Sequence, residues 1–293
     1  METLGCILRV IRAVGVRAMS GDLPQGEAEW CERIEALAWT DNVRAMAEEP
    51  ANPLDAQIGQ IGPVPLPLLA NVPMAIFNRV VGLGIDRPAT EADVDALVSF
   101  YLGAGRPEFA VSLSPEARPE ELAAWLGSRG LARSANWAKV WRGVEDPPDA
   151  RSDLRIERID AGQRDAFAHI NGAAFGTPAT LAPWFGATVG RPRWHHYLGF
   201  EGDAPVSAAA LFVADEVGWL GFGATLPSHR RRGGQGAMFA RRIRDAADLG
   251  CRLLVTETAE DTAAQPNPSY HNMVRAGFRL AYLRPNYVHR PSA

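Results

Sequence analysis

Between Thr225 and Met238 the chain passes from an apolar, strand-like segment into an amphipathic helix through Leu226-Pro227-Ser228-His229-Arg230-Arg231-Arg232-Gly233-Gly234-Gln235-Gly236-Ala237. This junction constrains the fold more than any other stretch. The opening turn of a helix presents N–H groups that lack intrahelical partners, and they attract anions. Glycines let the backbone approach a phosphate with no Cβ in the way. Adjacent arginines add charge-assisted hydrogen bonds. A strand, a glycine-rich basic turn and an immediate helix together form a seat for a pyrophosphate. The junction is not a P-loop, which ends in Gly-Lys-Ser/Thr, because residues 154–293 contain no lysine.

The 293 residues suffice for two domains, each with its own core. The clearest break is Glu145-Asp146-Pro147-Pro148-Asp149-Ala150-Arg151-Ser152-Asp153, where two prolines remove donors and the flanking charges have nothing apolar to bury. A second loose stretch runs over 48–73. The expected domains are 1–146 and 154–293. Residues 1–16 read as a short helix laid on the first domain, unless Met19 is the true start; Glu2 and the lack of a cleavage site argue against a signal peptide.

Past the break, the periodicity predicts strand 154–159, helix 161–175, a short helix 180–188, and strands 194–200, 206–214 and 217–226. Helix 234–249 follows, closed by Gly250, then strand 252–256, helix 269–276 closed by Gly277, and strand 278–283. The first half repeats the closing order more faintly: strand 74–85, helix 90–102, strand 108–113, helix 119–128 with Pro119 in its first turn, and strand 137–141. At the position of the basic turn it carries Asp86-Arg87-Pro88-Ala89-Thr90, where a proline removes a needed donor.

The basic turn resembles the pyrophosphate loop of the GNAT superfamily of N-acetyltransferases, Arg/Gln-x-x-Gly-x-Gly/Ala. Two registers fit: Arg231, Gly234 and Gly236, or Arg230, Gly233 and Gln235. The later segment Asn267-Pro268-Ser269-Tyr270-His271-Asn272-Met273-Val274-Arg275-Ala276-Gly277-Phe278 is similar to the closing GNAT elements. The resemblance implies an α/β (α+β) fold of two tandem GNAT-like units with mixed, mostly antiparallel sheets flanked by helices, the first unit degenerate. It implies acetyl-CoA as co-substrate and a small-molecule or peptide amine as acceptor. The carried-over cofactor residues are Gly223, Ala224, Thr225, Leu226, Arg230, Arg231, Arg232, Gly233, Gly234, Gln235, Gly236 and Asn267. Asparagine is also a favoured helix N-cap, and both roles can hold at Asn267. Family members often place a tyrosine four residues before the glycine of the closing Gly-Phe; here that position is Met273, so Tyr270 is the candidate acid. Glu257, with Glu216 behind it, is the candidate base.

Phe175, Trp184, Phe185, Trp194, His195, His196 and Tyr197 concentrate aromatic surface on the acceptor side, although each taken singly reads as core. The histidine pair has no third ligand at metal spacing, so no metal is expected. A net charge of −4 provides no electrostatic footprint for nucleic acid. No apolar run reaches membrane-span length. Three scattered cysteines, of which Cys251 reads as buried packing, exclude a disulfide framework. A cytoplasmic protein is expected. The competing reading is a non-catalytic acyl-CoA-binding or sensing protein.

Overall fold

The computed structural model describes residues 26–290, so the readings of 1–16 and of Met19 lie outside the described residues. The chain forms two compact units. One comprises residues up to Trp137 together with those from Tyr282; the other is Ala138–Ala281. This differs from the expected division at 146 and 154. Residues 138–143 precede the proline-rich break yet belong to the second unit, and the end of the chain returns to the first.

The first unit opens with α1 (Glu27–Ala47). Trp30, Cys31, Ile34, Val43 and Met46 are buried, and so are Glu32 and Glu35. Glu29, Arg33, Leu37, Asp41 and Arg44 form a narrow, partly exposed stripe, and the buried Glu32 and Glu35 break the apolar pattern, so the sequence reading passed over the helix. The loose stretch contains a hairpin, β1 (Ala56–Ile61) with β2 (Val64–Leu69). Pro65 and Pro67 fit because each strand of a two-stranded sheet keeps one unpaired edge. Of the strand expected over 74–85, only β3 (Arg79–Val81) forms. Buried Asn78 accepts from the Leu69 N–H at 2.7 Å and donates to the Val72 carbonyl at 2.8 Å, which bends the chain ahead of β3.

Helix α2 (Glu91–Gly103) starts at Thr90, whose hydroxyl accepts from the Asp93 N–H in a capping box. Then come β4 (Phe109–Ser112), α3 (Leu122–Ser128) and β5 (Leu131–Gly143). Helix α3 starts three residues after Pro119, which sits in the preceding turn rather than in the helix. The strand–helix–strand–helix–strand order expected of this half is present. In this unit's sheet β3 lies parallel to β4, and the last strand, β11 (Arg279–His289), runs antiparallel to β4 over 286–289.

In the second unit β6 (Arg155–Ile159), β7 (Trp194–Glu201), β8 (Ala204–Ala214) and β9 (Val217–Thr225) form an antiparallel run. β10 (Leu253–Ala259) joins β9 in parallel, and β5 follows β10 in the strand order. Helices α4 (Arg164–Phe175) and α6 (Gly234–Asp248) cover opposite faces. The alternation along β7 shows this: His196 meets Phe167 of α4, while Tyr197 donates to Asp245 of α6 at 2.8 Å. The short α5 (Ala182–Gly186) buries Trp184 and Phe185, and α7 (Pro268–Arg275) precedes β11. Gly250 and Gly277 take positive φ just past α6 and α7, as the sequence predicts.

Candidate active site

The site arises where two neighbouring strands part. β9 and β10 stay in register only for Val217–Trp219 against Leu253–Val255. The Thr256 hydroxyl makes a last cross-link to the Leu220 carbonyl at 2.7 Å. Beyond it, Gly223, Ala224 and Thr225 on one side and Thr258 on the other line a cavity of about 1200 Å³.

β9 is not the unbroken strand the sequence suggests. Its register with β8 slips between Ala208↔Ala224 and Ala210↔Gly221, so Phe222 and Gly223 have no partners in the ladder. Phe222 takes φ +52°. A left-handed backbone costs about 1–2 kcal/mol at a residue with a Cβ. The ring is packed by Phe167, Phe185, Trp194 and Trp219 at centroid distances of 5.9–6.4 Å. Aromatic pairs contribute roughly 0.5–1.5 kcal/mol each, so four of them outweigh the strain.

At the foot of the cavity lies the basic turn. Helix α6 begins at Gly234 with Gly233 as its N-cap at φ +77°, and a Cβ on Gly233 would overlap the Arg151 carbonyl. Gly233 is therefore the position where the backbone itself demands glycine. Among the described residues the N–H groups of 231–236 have no acceptor; the first paired one is that of Ala237, which donates to the Gly233 carbonyl at 3.0 Å. Arg230, Arg231 and Gly233–Gly236 all line the cavity.

The three arginines play different parts. Arg230 donates to the Thr225 and Ala174 carbonyls at 3.2 and 3.1 Å, bracing the loop. Arg232 pairs with Glu201 and does not line the cavity. Arg231, at φ +64°, makes no hydrogen bond or ion pair among the described residues and lines the cavity. The cavity wall also carries Arg151, Arg242 and Arg275 against one carboxylate, Asp149. On a chain of net charge −4 this concentration of cations marks a site for an anion.

The other sequence-predicted residues are placed as follows. Leu226 lies beside the cavity without lining it. The Asn267 carboxamide oxygen accepts from the Ser269 and Tyr270 N–H groups at 3.0 and 3.4 Å, and its nitrogen donates to Thr258 Oγ1 at 3.0 Å. It is the N-cap of α7 and ties that helix to β10. Tyr270 packs against the second unit's core, and Glu257 pairs with Lys139 at 3.4 Å; neither lines the cavity. On the acceptor side Trp184, Phe185, Trp194, His196 and Tyr197 are buried, leaving Phe175, 52% exposed, on the cavity wall.

The lining residues that were missed include two groups. Ser269, Asn272 and Arg275 recur at helical spacing along one side of α7. Gln235 of α6 donates to Ser269 Oγ at 2.9 Å and accepts from Asn272, which in turn accepts from Arg275. That stripe could have been read from the sequence. The second group, Pro148–Arg151 of the proline-rich break, carries no sequence signal for a role at a site.

Neither a protein-family model nor a curated protein sequence matches the chain. Among solved structures, it resembles a GCN5-related N-acetyltransferase from Kribbella flavida at 18% identity and a TM-score of 0.62, over 92% of this chain and 98% of that one. It also resembles a tandem GNAT protein from the clavulanic acid biosynthesis pathway at 16% identity and a TM-score of 0.58, over 88% and 96% of the two chains. With β9 and β10 parting above a glycine-rich helix start, the chain has the fold of the GNAT N-acetyltransferases, and its two units are consistent with a tandem GNAT architecture.

Proposed function

We propose that the chain is an acetyl-CoA-dependent N-acetyltransferase whose second unit binds the co-substrate and delivers the acetyl group to a primary amine. One observation carries this reading: the unpartnered N–H groups of residues 231 and 233–236 belong to the lining of the same cavity as the gap between β9 and β10. A pyrophosphate suits the first, through the partial positive charge of the helix start and the guanidinium of Arg231. An amide-bearing arm suits the second, because parted strands offer backbone groups to a chain lying between them. The residues present fit the ligand at both ends.

In the reaction the unprotonated amine attacks the thioester carbon, the C–S bond breaks, and the thiolate takes up the proton released by nitrogen. Tyr270 and Glu257 are the side chains the sequence nominates for moving protons. Since neither lines the cavity, a non-catalytic acyl-CoA-binding protein is the second reading. Amine-dependent release of free CoA from acetyl-CoA, followed with a thiol reagent over a panel of primary amines, separates the two. Turnover supports the enzyme. Binding of acetyl-CoA without turnover supports the binding protein, and failure to bind refutes both.

A further inference from the structure

Arg242 lies on α6 eight residues beyond Gly234, about 12 Å from the helix start at 1.5 Å per residue. It is 2% exposed and is nonetheless part of the cavity wall. Its Nε donates to the Met238 carbonyl at 3.2 Å, and its Nη1 to the carbonyls of Ala210 and Gly221 at 2.9 and 3.4 Å. Ala210 and Gly221 are the paired residues that border the bulge in β9. Nη2 has no acceptor among the described residues, and it lies 3.9 Å from where a Cβ on Gly223 would stand.

A buried cation without a carboxylate partner costs several kcal/mol in lost hydration. Three carbonyls offset part of that cost, and burial lowers the pKa only to about 10, so the side chain stays charged at neutral pH. An unused donor on a fixed, desolvated cation is suited to an oxygen that gains negative charge during a reaction. Phosphates seated at Gly234–Gly236 are about two helical turns away, so that oxygen belongs further along the ligand.

We infer that Arg242 is a catalytic residue whose Nη2 donates to the carbonyl oxygen of the bound acyl thioester, while Nη1 holds the bulge that shapes this end of the cavity. The inference rests on the acetyl-CoA reading. As the amine nitrogen forms its bond to the carbonyl carbon, the C=O π electrons move onto oxygen and Arg242 stabilises them. They return when the C–S bond breaks, and the proton lost by nitrogen ends on the CoA sulfur.

The experiment compares acetyl-CoA with CoA by titration calorimetry on the wild type, Arg242→Lys and Arg242→Met, and measures kcat and KM for each. Only acetyl-CoA has the thioester carbonyl, whereas the amides of the arm are common to both ligands. The wild type should prefer acetyl-CoA several-fold, and Arg242→Met should bind CoA within about twofold of wild type while losing that preference. Its kcat should fall on the order of a hundredfold or more, and Arg242→Lys should recover part of the loss. Because Arg242→Met can fail to fold, the wild type is also titrated with acetyl-CoA carrying ¹³C at the carbonyl, whose resonance should move downfield on binding. Equal loss of both ligands, an unchanged kcat, or an unmoved resonance with acetyl-CoA bound overturns the inference alone. If neither ligand binds the wild type, the acetyl-CoA reading fails and the inference falls with it.

Discussion

Two glycines of the basic turn look alike in sequence and should respond oppositely to the same substitution. Gly233 sits at φ +77° against the Arg151 carbonyl, whereas Gly236 lies in the first turn of α6, where a Cβ would rest 3.4 Å from that of Ala150, an ordinary contact. Gly233→Ala therefore incurs at least the left-handed cost of about 1–2 kcal/mol. Gly236→Ala should instead stabilise the ligand-free protein by about 0.5–1 kcal/mol, because alanine loses less backbone entropy in a helix. At roughly 2–4 °C per kcal/mol, the first should lower Tm by about 2–8 °C and the second raise it by about 1–4 °C. Gly233→Ala should also weaken acetyl-CoA at least about tenfold, or about 1.4 kcal/mol, whereas Gly236→Ala should leave it within about threefold. Gly233→Ala displaces the N–H groups, while Gly236 occupies the loop position that accepts glycine or alanine. Differential scanning fluorimetry with and without acetyl-CoA reads both effects. Wild-type affinity in Gly233→Ala would refute a phosphate seat at the start of α6, and an unchanged Tm in the same variant would refute the requirement for a left-handed residue there.

Arg231→Gly should raise the ligand-free Tm slightly by relieving the strain at φ +64°, yet weaken acetyl-CoA and CoA alike; a calorimetric affinity equal to wild type removes Arg231 from the site. Tyr270→Phe should change kcat less than about fivefold, since the ring packs on the core, and a hundredfold fall with unchanged acetyl-CoA binding would assign it as the general acid. His196 is buried against Phe167 and Thr188, and burial depresses its pKa from 6.5 to about 3. As pH falls below 6.5 the unfolded chain takes up this proton first, so stability should drain away between pH 6.5 and 3. Going from pH 7 to 5 should cost about 2 kcal/mol from this group. In urea melts His196→Gln should show a shallower loss over that range, and an unchanged slope would place the acid sensitivity elsewhere.

The second unit was legible because its elements advertise themselves: α6 is amphipathic and stopped by Gly250, and the glycine-arginine turn leads straight from a strand into that helix. Less of the first unit could be read, for physical reasons. Helix α1 buries Glu32 and Glu35 along with its apolar residues, so its charges do not mark an outer face, and the prolines of β2 mimic a loop while sitting on an edge strand. The bulge at Phe222 depends on a cluster of rings distant in sequence, so no local pattern announces it. Arg242 escaped notice for a related reason. An arginine in an arginine-rich helix reads as solvated until the carbonyls of β8 and β9 are placed around it.

The interchange of end segments has a consequence for how the protein is made. β4 pairs with residues 286–289 of β11, which are synthesised after the whole of the second unit. A nascent chain whose N-terminal half has left the ribosome thus holds β4 with one edge uncovered, and such edges invite pairing with other chains. Domains ordinarily fold in the order they emerge, N-terminal first. Here the first unit can finish its sheet only after the whole of the second has been synthesised. A chain stopped at residue 281 would contain every segment of the second unit yet leave the first one permanently open. Loss of residues 282–293 should therefore appear as aggregation rather than as a gap in the cavity of the second unit.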